Sequence, residues 1–292
     1  MSVQHPTELP SEVEAWLQEQ TTYPREELLR GDGNHPDEID AMRKFLVGTL
    51  TAHDAAAAII HSITLEDDPP HEVYRLWGLL AATLVELGRE VGRKSLDLLA
   101  AIQQLPDATT PTGTIKWSDL PGFGNMWYDS HSMHMDGSPP WESGREGILT
   151  RERETVLRDL YEDGGAAEAS IWLRIPNVIN PNLGYEVLNL SRSGRACLFI
   201  NLHQVHGWLK IAGPQLRLDR PLDEVMRLER KAWGEYADAT MEEHWHDWEK
   251  ALAELSKDDS TLPQESRKVA GECLAMMQDA RLQDPRNVST DT

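Results

Sequence analysis

Apolar residues recur at helical spacing over most of the chain. In the segment 37–63 they fall three or four residues apart, which places them on one face of a helix that begins just after Pro36. The same spacing returns in 71–87 and in 93–105, and the connections between these segments are short. The pattern therefore predicts three consecutive helices that pack against one another in an antiparallel set.

Helices are also predicted in the second half of the chain. The segment 142–162 is charged, and 166–173 and 195–211 are apolar. The segments 220–237 and 241–255 are amphipathic, and 263–281 forms the last predicted helix. No segment shows the alternation of a hairpin, so we expect few strands, at most within 185–190 and 198–202.

Between Pro106 and Pro140 the helical spacing gives way to Pro, Gly and aromatic residues. The segment contains Trp117, Pro121-Gly122, Trp127 and Tyr128, and Trp141 follows it directly. Long loops without secondary structure are uncommon in compact domains, and this one carries too many aromatic residues for disorder. The sequence predicts a long, Trp-rich ordered loop that packs on the helices.

These elements predict a mostly α-helical fold, namely a single irregular helical bundle with a long Trp-rich loop. An acidic N-terminal segment is expected over residues 1–36, a helical domain over 37–282, and a polar tail that frays over 283–292.

The charge of the chain excludes several classes of partner. The 292 residues include 28 Lys and Arg against 49 Asp and Glu, which gives a formal net charge of −21. Such a surface repels polyanions and anionic lipids, because binding to a phosphate backbone relies on Lys and Arg. We therefore expect neither nucleic acid nor a membrane surface as a partner.

Cysteine content and the N-terminus bear on the cellular compartment. Cys197 and Cys273 are the only two cysteines, which is too few for a disulfide framework. The N-terminus lacks the pattern of a signal peptide, and no apolar stretch reaches the roughly 18 residues that a membrane helix needs. We expect a cytoplasmic protein.

The Trp-rich loop is the first candidate for a functional site. Its aromatic side chains could form the walls of a small-molecule pocket, and nearby imidazoles and carboxylates could transfer protons. The candidates for binding are Trp117, Trp127, Tyr128 and Trp141, and those for catalysis are Asp119, Asp129, His131 and His134. The alternative is that the aromatic residues pin the loop to the helices.

Paired histidines raise the question of a metal site. The pairs are His131 and His134, His203 and His206, and His244 and His246. Each pair lacks a third ligand at a defined distance, so packing or surface roles are favoured and no metal is expected. The sequence also lacks Gly-x-Gly-x-x-Gly, Gly-x-Ser-x-Gly and a phosphate-binding loop, so we expect no cofactor.

Short motifs over about two thirds of the chain resemble those of a fungal family of helical proteins without an assigned activity. They are Leu76-Trp77, Leu105-Pro106, Trp117-Ser118-Asp119-Leu120-Pro121, Trp208-Leu209-Lys210-Ile211-Ala212-Gly213, Trp245-His246-Asp247-Trp248 and Gln264-Glu265-Ser266-Arg267. Some members of that family are accessory proteins of secondary-metabolite gene clusters, including the oxopyrrolidine type, in which a polyketide is joined to an amino acid. The resemblance implies that setting for this chain.

Two functions follow as expectations. The first is a cofactor-free enzyme or binding protein for a small molecule derived from a polyketide and an amino acid, with the Trp-rich loop as its site. The second is a non-catalytic interaction or regulatory protein whose aromatic and acidic faces contact a protein partner.

Overall fold

Helices dominate the structure, a computed structural model that describes residues 8–21, 34–66, 68–110, 112–135, 151–180, 182–192, 198–231 and 235–287. These ranges contain eleven α-helices and two antiparallel sheets of two strands each. The prediction of a mostly α-helical fold is confirmed. The chain divides into two compact units, residues 1–134 and 135–292, and the sequence analysis placed no boundary near residue 134.

The first unit contains six described helices and one hairpin. In chain order these are α1 (Ser11–Glu19), α2 (Pro36–Leu46), α3 (Ala52–Thr64), α4 (Pro69–Glu86), α5 (Gly88–Gln103), β1 (Ala108–Thr110), β2 (Gly113–Ile115) and α6 (Phe123–Met135). A 3₁₀ turn, Trp117–Asp119, lies between β2 and α6. Helices α4 and α5 match the second and third predicted helices to within a few residues.

The single helix predicted over 37–63 is wrong, because the segment forms two helices, α2 and α3. Gly48 adopts a φ of 82°, in the left-handed region that glycine enters readily, and so ends the first helix. Thr51 then begins the second, since its Oγ1 accepts a hydrogen bond from the backbone N–H of Asp54 at 3.1 Å. Apolar spacing alone did not reveal this break.

The start of α2 is held by a buried carboxylate. Glu38 accepts a hydrogen bond from the backbone N–H of His35 at 3.3 Å and another from Nη2 of Arg75 on α4 at 2.9 Å. Burial raises the pKa of the Glu38 carboxyl, and the charge of Arg75 opposes that shift. The contact therefore joins α2 to α4 as well as capping α2.

Part of the acidic N-terminal segment predicted for residues 1–36 packs on the other helices. Val13 and Leu17 of α1 are buried. The indole N–H of Trp16 donates to Glu86 at 3.0 Å, and Nε of Arg43 donates to Glu14 at 3.0 Å. This stretch of the segment thus belongs to the core of the first unit.

The segment 106–140 is not one long loop where the structure describes it. It contains the β1–β2 hairpin, the 3₁₀ turn and the 13-residue helix α6. Phe123, Trp127 and His131 recur every four residues on α6, and all three are buried. That spacing places them on one helical face, and it is the signal that the sequence analysis missed.

The second unit contains five described helices and a longer hairpin. In chain order these are α7 (Arg151–Arg174), α8 (Asn182–Asn189), α9 (Leu198–Asp219), β3 (Val225–Lys231), β4 (Glu235–Thr240), α10 (Met241–Leu255) and α11 (Gln264–Gln283). Short 3₁₀ turns, Leu190–Arg192 and Pro285–Asn287, follow α8 and α11. Its core is built mainly from α9, α10 and α11 and includes three fully buried tryptophans, Trp208, Trp245 and Trp248.

Several predictions for the second unit need correction. The helices predicted over 142–162 and 166–173 are one continuous helix where described, α7, because Gly164 and Gly165 do not interrupt it. The described residues of the segment 220–237 are not helical, and they include β3 and the first half of β4. In β3, Met226 and Leu228 are buried while Val225 and Arg227 are exposed. The strands considered within 185–190 and 198–202 are helical instead.

The expected fraying from residue 283 does not begin directly after α11. Asp284 is buried and accepts hydrogen bonds from the fully buried Arg217 of α9 at 3.2 Å and from Nε of Arg286 at 2.8 Å. The hydrogen bonds that Arg286 donates hold the pKa of the Asp284 carboxyl below its ordinary value. Residues 284–287 are therefore anchored to the end of α9, while 288–292 lie outside the described residues.

The backbones of α7 and α9 touch at two glycines. A Cβ atom on Gly207 would lie 2.2 Å from the carbonyl oxygen of Glu162 and 2.7 Å from the backbone nitrogen of Ala166. A Cβ atom on Gly165 would lie 2.4 Å from the carbonyl oxygen of Gln204. No other residue fits at either position, so the glycines set the distance between the two longest described helices of this unit.

We predict that Gly207→Ala lowers the free energy of unfolding by about 3 kcal/mol, because the new methyl group must push two backbones apart. Gly213→Ala on the same helix is the control, since its Cβ would meet only Leu209 Cδ2 at 3.7 Å. It should raise stability by about 0.5–1 kcal/mol through helix propensity. Urea denaturation followed by circular dichroism measures both. Equal effects of the two substitutions would contradict the described crossing.

Candidate functional site

The tryptophans proposed as pocket walls lie in the core of the first unit. Trp117 and Trp127 are fully buried. The indole N–H of Trp117 is a neutral buried donor that has no hydrogen-bond partner among the described residues. Trp141 lies outside the described residues. These positions fit the alternative interpretation, in which the aromatic residues pin this part of the chain to the helices.

A series of aromatic contacts connects α4 to α6, and we call it the aromatic ladder: Trp77, Phe123, Trp127 and His131. Consecutive ring centroids are 5.5, 6.5 and 4.2 Å apart. At one end, the indole N–H of Trp77 donates to the carbonyl oxygen of Pro121 at 2.8 Å. At the other, Nε2 of His131 lies 3.2 Å from the carbonyl oxygen of Ala81. The ladder therefore accounts for His131 as a packed residue.

The remaining candidates in this region do not converge. Asp119, Tyr128 and Asp129 are exposed, and Tyr128 keeps more than half of its surface. The side chain of His134 lies outside the described residues. The described part of the region thus offers buried rings and exposed carboxylates, without the shared position that proton transfer to one substrate requires.

The three histidine pairs differ in their surroundings. In the pair on α10, Nε2 of His244 lies 2.9 Å from the carbonyl oxygen of Met226, whereas His246 is exposed. The part of the chain that the structure describes contains no group of three His, Cys, Asp or Glu side chains that could hold a metal ion. Of the pairs whose two side chains the structure describes, His203 and His206 are the one that faces several charged side chains from other helices.

The second unit brings charged and imidazole side chains together where α7, α9 and α11 meet. We call the set the histidine cluster: Arg158 and Glu162 on α7, His203 and His206 on α9, and Glu265 and Glu272 on α11. The glycine crossing lies beside it, because the carbonyl oxygen of Glu162 is the atom that Gly207 approaches. The close helix contact therefore positions the α7 side chains against those of α9.

His203 is a buried, neutral imidazole. The residue keeps 7% of its surface, and its Nε2 has no hydrogen-bond partner among the described residues. Burial, assisted by the charge of Arg158, lowers the pKa of His203 to about 4. Because the folded chain binds this proton less readily than the unfolded chain, its stability falls as the pH drops from about 6.5 towards 4.

Arg158 places a guanidinium beside His203. Its two terminal nitrogens donate to Glu154 and Glu265, which hold the side chain between α7 and α11. Its Nε is also buried, and within the described ranges no hydrogen-bond acceptor meets it. Buried nitrogens on Arg158 and His203, and Nδ1 of His206, thus have no hydrogen-bond partner among the described residues, and the first two could donate to an oxygen atom of a ligand.

His206 lies between two carboxylates on different helices. Its Nδ1 is 3.4 Å from Oε1 of Glu162, and its Nε2 is 3.4 Å from Oε2 of Glu272. Lys210 Nζ is 3.5 Å from the same oxygen of Glu162, and Lys268 Nζ is 3.4 Å from Oε1 of Glu272. Each carboxylate is therefore shared between the imidazole and a lysine.

One turn further along the crossing, the buried carboxylate of Glu168 supports α9. Oε2 of Glu168 accepts hydrogen bonds from the indole N–H of Trp208 at 2.6 Å and from Nε2 of Gln204 at 3.4 Å. Gln204 is the neighbour of His203 in the chain. Glu168 therefore helps to fix the segment of α9 that carries the imidazoles.

The sequence showed the His203–His206 pair but not its setting. The spacing of three residues, continued by Lys210 four residues later, places all three side chains on one face of a helix. The carboxylates that contact His206 come from positions 44 and 66 residues away, on α7 and α11. No local pattern connects them, so the pair was interpreted as packing and surface histidines.

Comparisons with known proteins assign no family to the chain: no protein-family model, no curated protein and no solved structure matches it. The resemblance to a fungal family therefore stays a prediction. Among the described residues, none of the helices is long and apolar enough to span a membrane.

We predict that Trp127→Ala lowers the free energy of unfolding by about 3–5 kcal/mol, since it removes the centre of the aromatic ladder. Asp129→Ala, two residues further along α6, is exposed and should change stability by less than about 0.5 kcal/mol. Urea denaturation of both variants tests this. A Trp127→Ala protein as stable as the unsubstituted one would show that the ring belongs to a pocket and not to the core.

Proposed function

We propose that the histidine cluster binds a small organic molecule by donating hydrogen bonds to one of that molecule's oxygen atoms. The observation that carries the proposal is the buried, neutral imidazole of His203, whose Nε2 has no partner in the described part of the chain. Buried polar atoms in native proteins nearly always have a partner, so an orphaned one next to charged groups favours a ligand position.

The chemistry of the cluster favours a carbonyl or enolate oxygen as the group that is bound. A neutral imidazole with a proton on Nε2 donates one hydrogen bond, and the Nε–H of Arg158 donates another. Both donors are buried, so each hydrogen bond to a ligand oxygen forms with little competition from water. A carbonyl held in this way is polarised, as charge that builds on its oxygen is stabilised.

Proton transfer is the reaction that these groups support. In the proposed step, a C–H bond next to the bound carbonyl breaks, and its proton passes to His206 or Glu162. The electron pair of that bond forms the C=C bond of an enolate, whose oxygen is held by His203 and Arg158. Return of the proton to carbon or oxygen completes an isomerisation, and the step needs no cofactor.

We further propose a molecule derived from a polyketide and an amino acid as the ligand, and secondary metabolism as the setting. The family resemblance supports the setting, and the carbonyl-rich chemistry of such molecules matches the donors of the cluster. The proposal moves the site from the Trp-rich segment to α7, α9 and α11. A purely structural or regulatory role through a protein partner is the competing outcome of the experiment.

The test begins with metabolite profiles of the host strain with and without the gene. We expect one compound to accumulate in the deletion strain and to bind the purified protein. His203→Gln should weaken that binding at least tenfold, because it removes the buried imidazole donor, which is worth about 1.4 kcal/mol or more. His246→Gln, an exposed histidine of the same unit, is the control and should leave affinity unchanged.

Three results would contradict the proposal. An unchanged metabolite profile would remove the secondary-metabolism setting. Equal affinity of the His203→Gln and unsubstituted proteins would remove the cluster as the binding site. Loss of all pathway products without an accumulated compound that binds would favour the regulatory role.

A further inference from the structure

The histidine cluster contains a third buried nitrogen without a hydrogen-bond partner among the described residues. It is Nδ1 of His206, whose side chain keeps 13% of its surface. Oε1 of Glu162 lies 3.4 Å from this nitrogen, yet the two groups do not form a hydrogen bond. Binding of a single oxygen atom by Arg158 and His203 leaves this nitrogen unexplained.

The three unpartnered nitrogens belong to neighbouring side chains. His203 and His206 are three residues apart on α9, which places their Cβ atoms about 5–6 Å apart on one helical face. From α7, Arg158 lies beside His203 and Glu162 beside His206. His203 and Arg158 keep only 7% and 9% of their surface. Because buried polar atoms are nearly always paired, the site calls for a compact ligand with a second polar group next to His206.

A second oxygen atom of the ligand satisfies Nδ1 of His206 in either neutral form of the ring. When Nδ1 carries the proton, it donates to a carbonyl oxygen. When Nδ1 carries the lone pair, it accepts a hydrogen bond from a hydroxyl group. A 1,3-dicarbonyl meets both cases, because its keto form offers two carbonyl oxygens and its enol form offers one carbonyl oxygen and one hydroxyl group.

The charge around the cluster disfavours an anionic ligand with two oxygens. The contacts of the cluster involve four carboxylates and three cationic groups, namely Glu154, Glu162, Glu265 and Glu272, and Arg158, Lys210 and Lys268. A carboxylate or phosphate would add to this negative excess, and like charges repel one another most strongly where water is scarce. A neutral dicarbonyl avoids this repulsion.

We propose that the histidine cluster binds a neutral 1,3-dicarbonyl group, with one oxygen at Arg158 and His203 and the other at Nδ1 of His206. The inference rests on the proposed binding function and specifies the ligand of that same site. His206 is then a residue that determines specificity, since it distinguishes two oxygens from one.

The inference also narrows the proposed proton transfer. Because Nδ1 of His206 is occupied by a ligand oxygen, Glu162 becomes the group that accepts the proton. The C–H bond that breaks lies between the two carbonyl groups, and its electron pair forms the C=C bond of the enolate, whose charge is shared by both oxygens. The proton neutralises one carboxylate as the enolate forms, so the net charge of cluster and ligand does not change.

The test compares three probes with the same four-carbon chain: acetoacetamide, a neutral 1,3-dicarbonyl; butanamide, which lacks the second carbonyl oxygen; and acetoacetate, which carries a carboxylate. Each is titrated into the full-length protein at pH 7 while nuclear magnetic resonance follows the histidine rings. We expect acetoacetamide to shift the signals of His203 and His206 and to bind about fivefold more tightly than butanamide, as one additional hydrogen bond implies. Acetoacetate should bind more weakly than acetoacetamide, and the exposed His246 should not respond.

A variant of the same protein separates the two oxygen positions. His206→Leu removes the third nitrogen while it retains a side chain of similar size. It should lower the affinity for acetoacetamide about fivefold and leave the affinity for butanamide unchanged. Circular dichroism verifies that the variant is folded, and the comparison of the three probes on the unsubstituted protein does not depend on it.

The outcomes separate this inference from the binding proposal. Equal affinities for acetoacetamide and butanamide, with a His206 signal that responds to neither, would overturn the second oxygen position and leave the binding proposal in place. Tighter binding of acetoacetate than of acetoacetamide would overturn the preference for a neutral ligand. If no probe shifts the His203 signal, the cluster is not a binding site, and both proposals fail.

Discussion

The close contact between α7 and α9 at Gly165 and Gly207 is the constraint on which the second unit depends. Two helices of 24 and 22 residues approach until the backbone of one meets the backbone of the other. At that distance the side chains next to the glycines on one helix must contact those on the other. Glu162 and Glu168 of α7 thus lie against the polar face of α9, where Glu162 contacts His206 and Glu168 accepts a hydrogen bond from the indole N–H of Trp208.

The two units use aromatic and polar residues in opposite ways. In the first unit, the aromatic ladder joins α4 to α6 and absorbs His131 into the packing. In the second, tryptophans belong to the apolar core, and a separate polar face between α7, α9 and α11 brings imidazoles together with charged side chains. In the second unit, imidazoles and carboxylates therefore gather where the backbones of α7 and α9 approach closely.

The sequence predicted the helical class because the apolar spacing of 3.6 residues is strong in α4, α5, α10 and α11. The prediction failed where one or two residues decide the local structure, as at Gly48 and Thr51, which split one predicted helix into two. It also failed at the β3–β4 hairpin, because charged residues stand beside the buried Met226 and Leu228 and hide the alternation. The four-residue spacing of Phe123, Trp127 and His131 is present in the sequence but was missed among the surrounding prolines and glycines.

The candidate site could not be predicted for a different reason. Trp117 and Trp127 were interpreted as candidate pocket walls, but composition does not distinguish a pocket wall from a core. His203 and His206 were visible as a pair, yet their meaning depends on Arg158, Glu162 and Glu272, which reach them only through the glycine crossing. Tertiary contacts of this kind leave no local pattern in the chain.

The central claim is that the crossing buries a neutral imidazole at His203 beside a charged cluster. The most direct measurement is a nuclear magnetic resonance titration of the histidine ring carbons in the full-length protein, with the His203 signal assigned from His203→Gln. The account predicts a pKa of about 4 for that ring, so it stays neutral above pH 5. A His203 signal that titrates near 6.5, as an exposed histidine does, would contradict it.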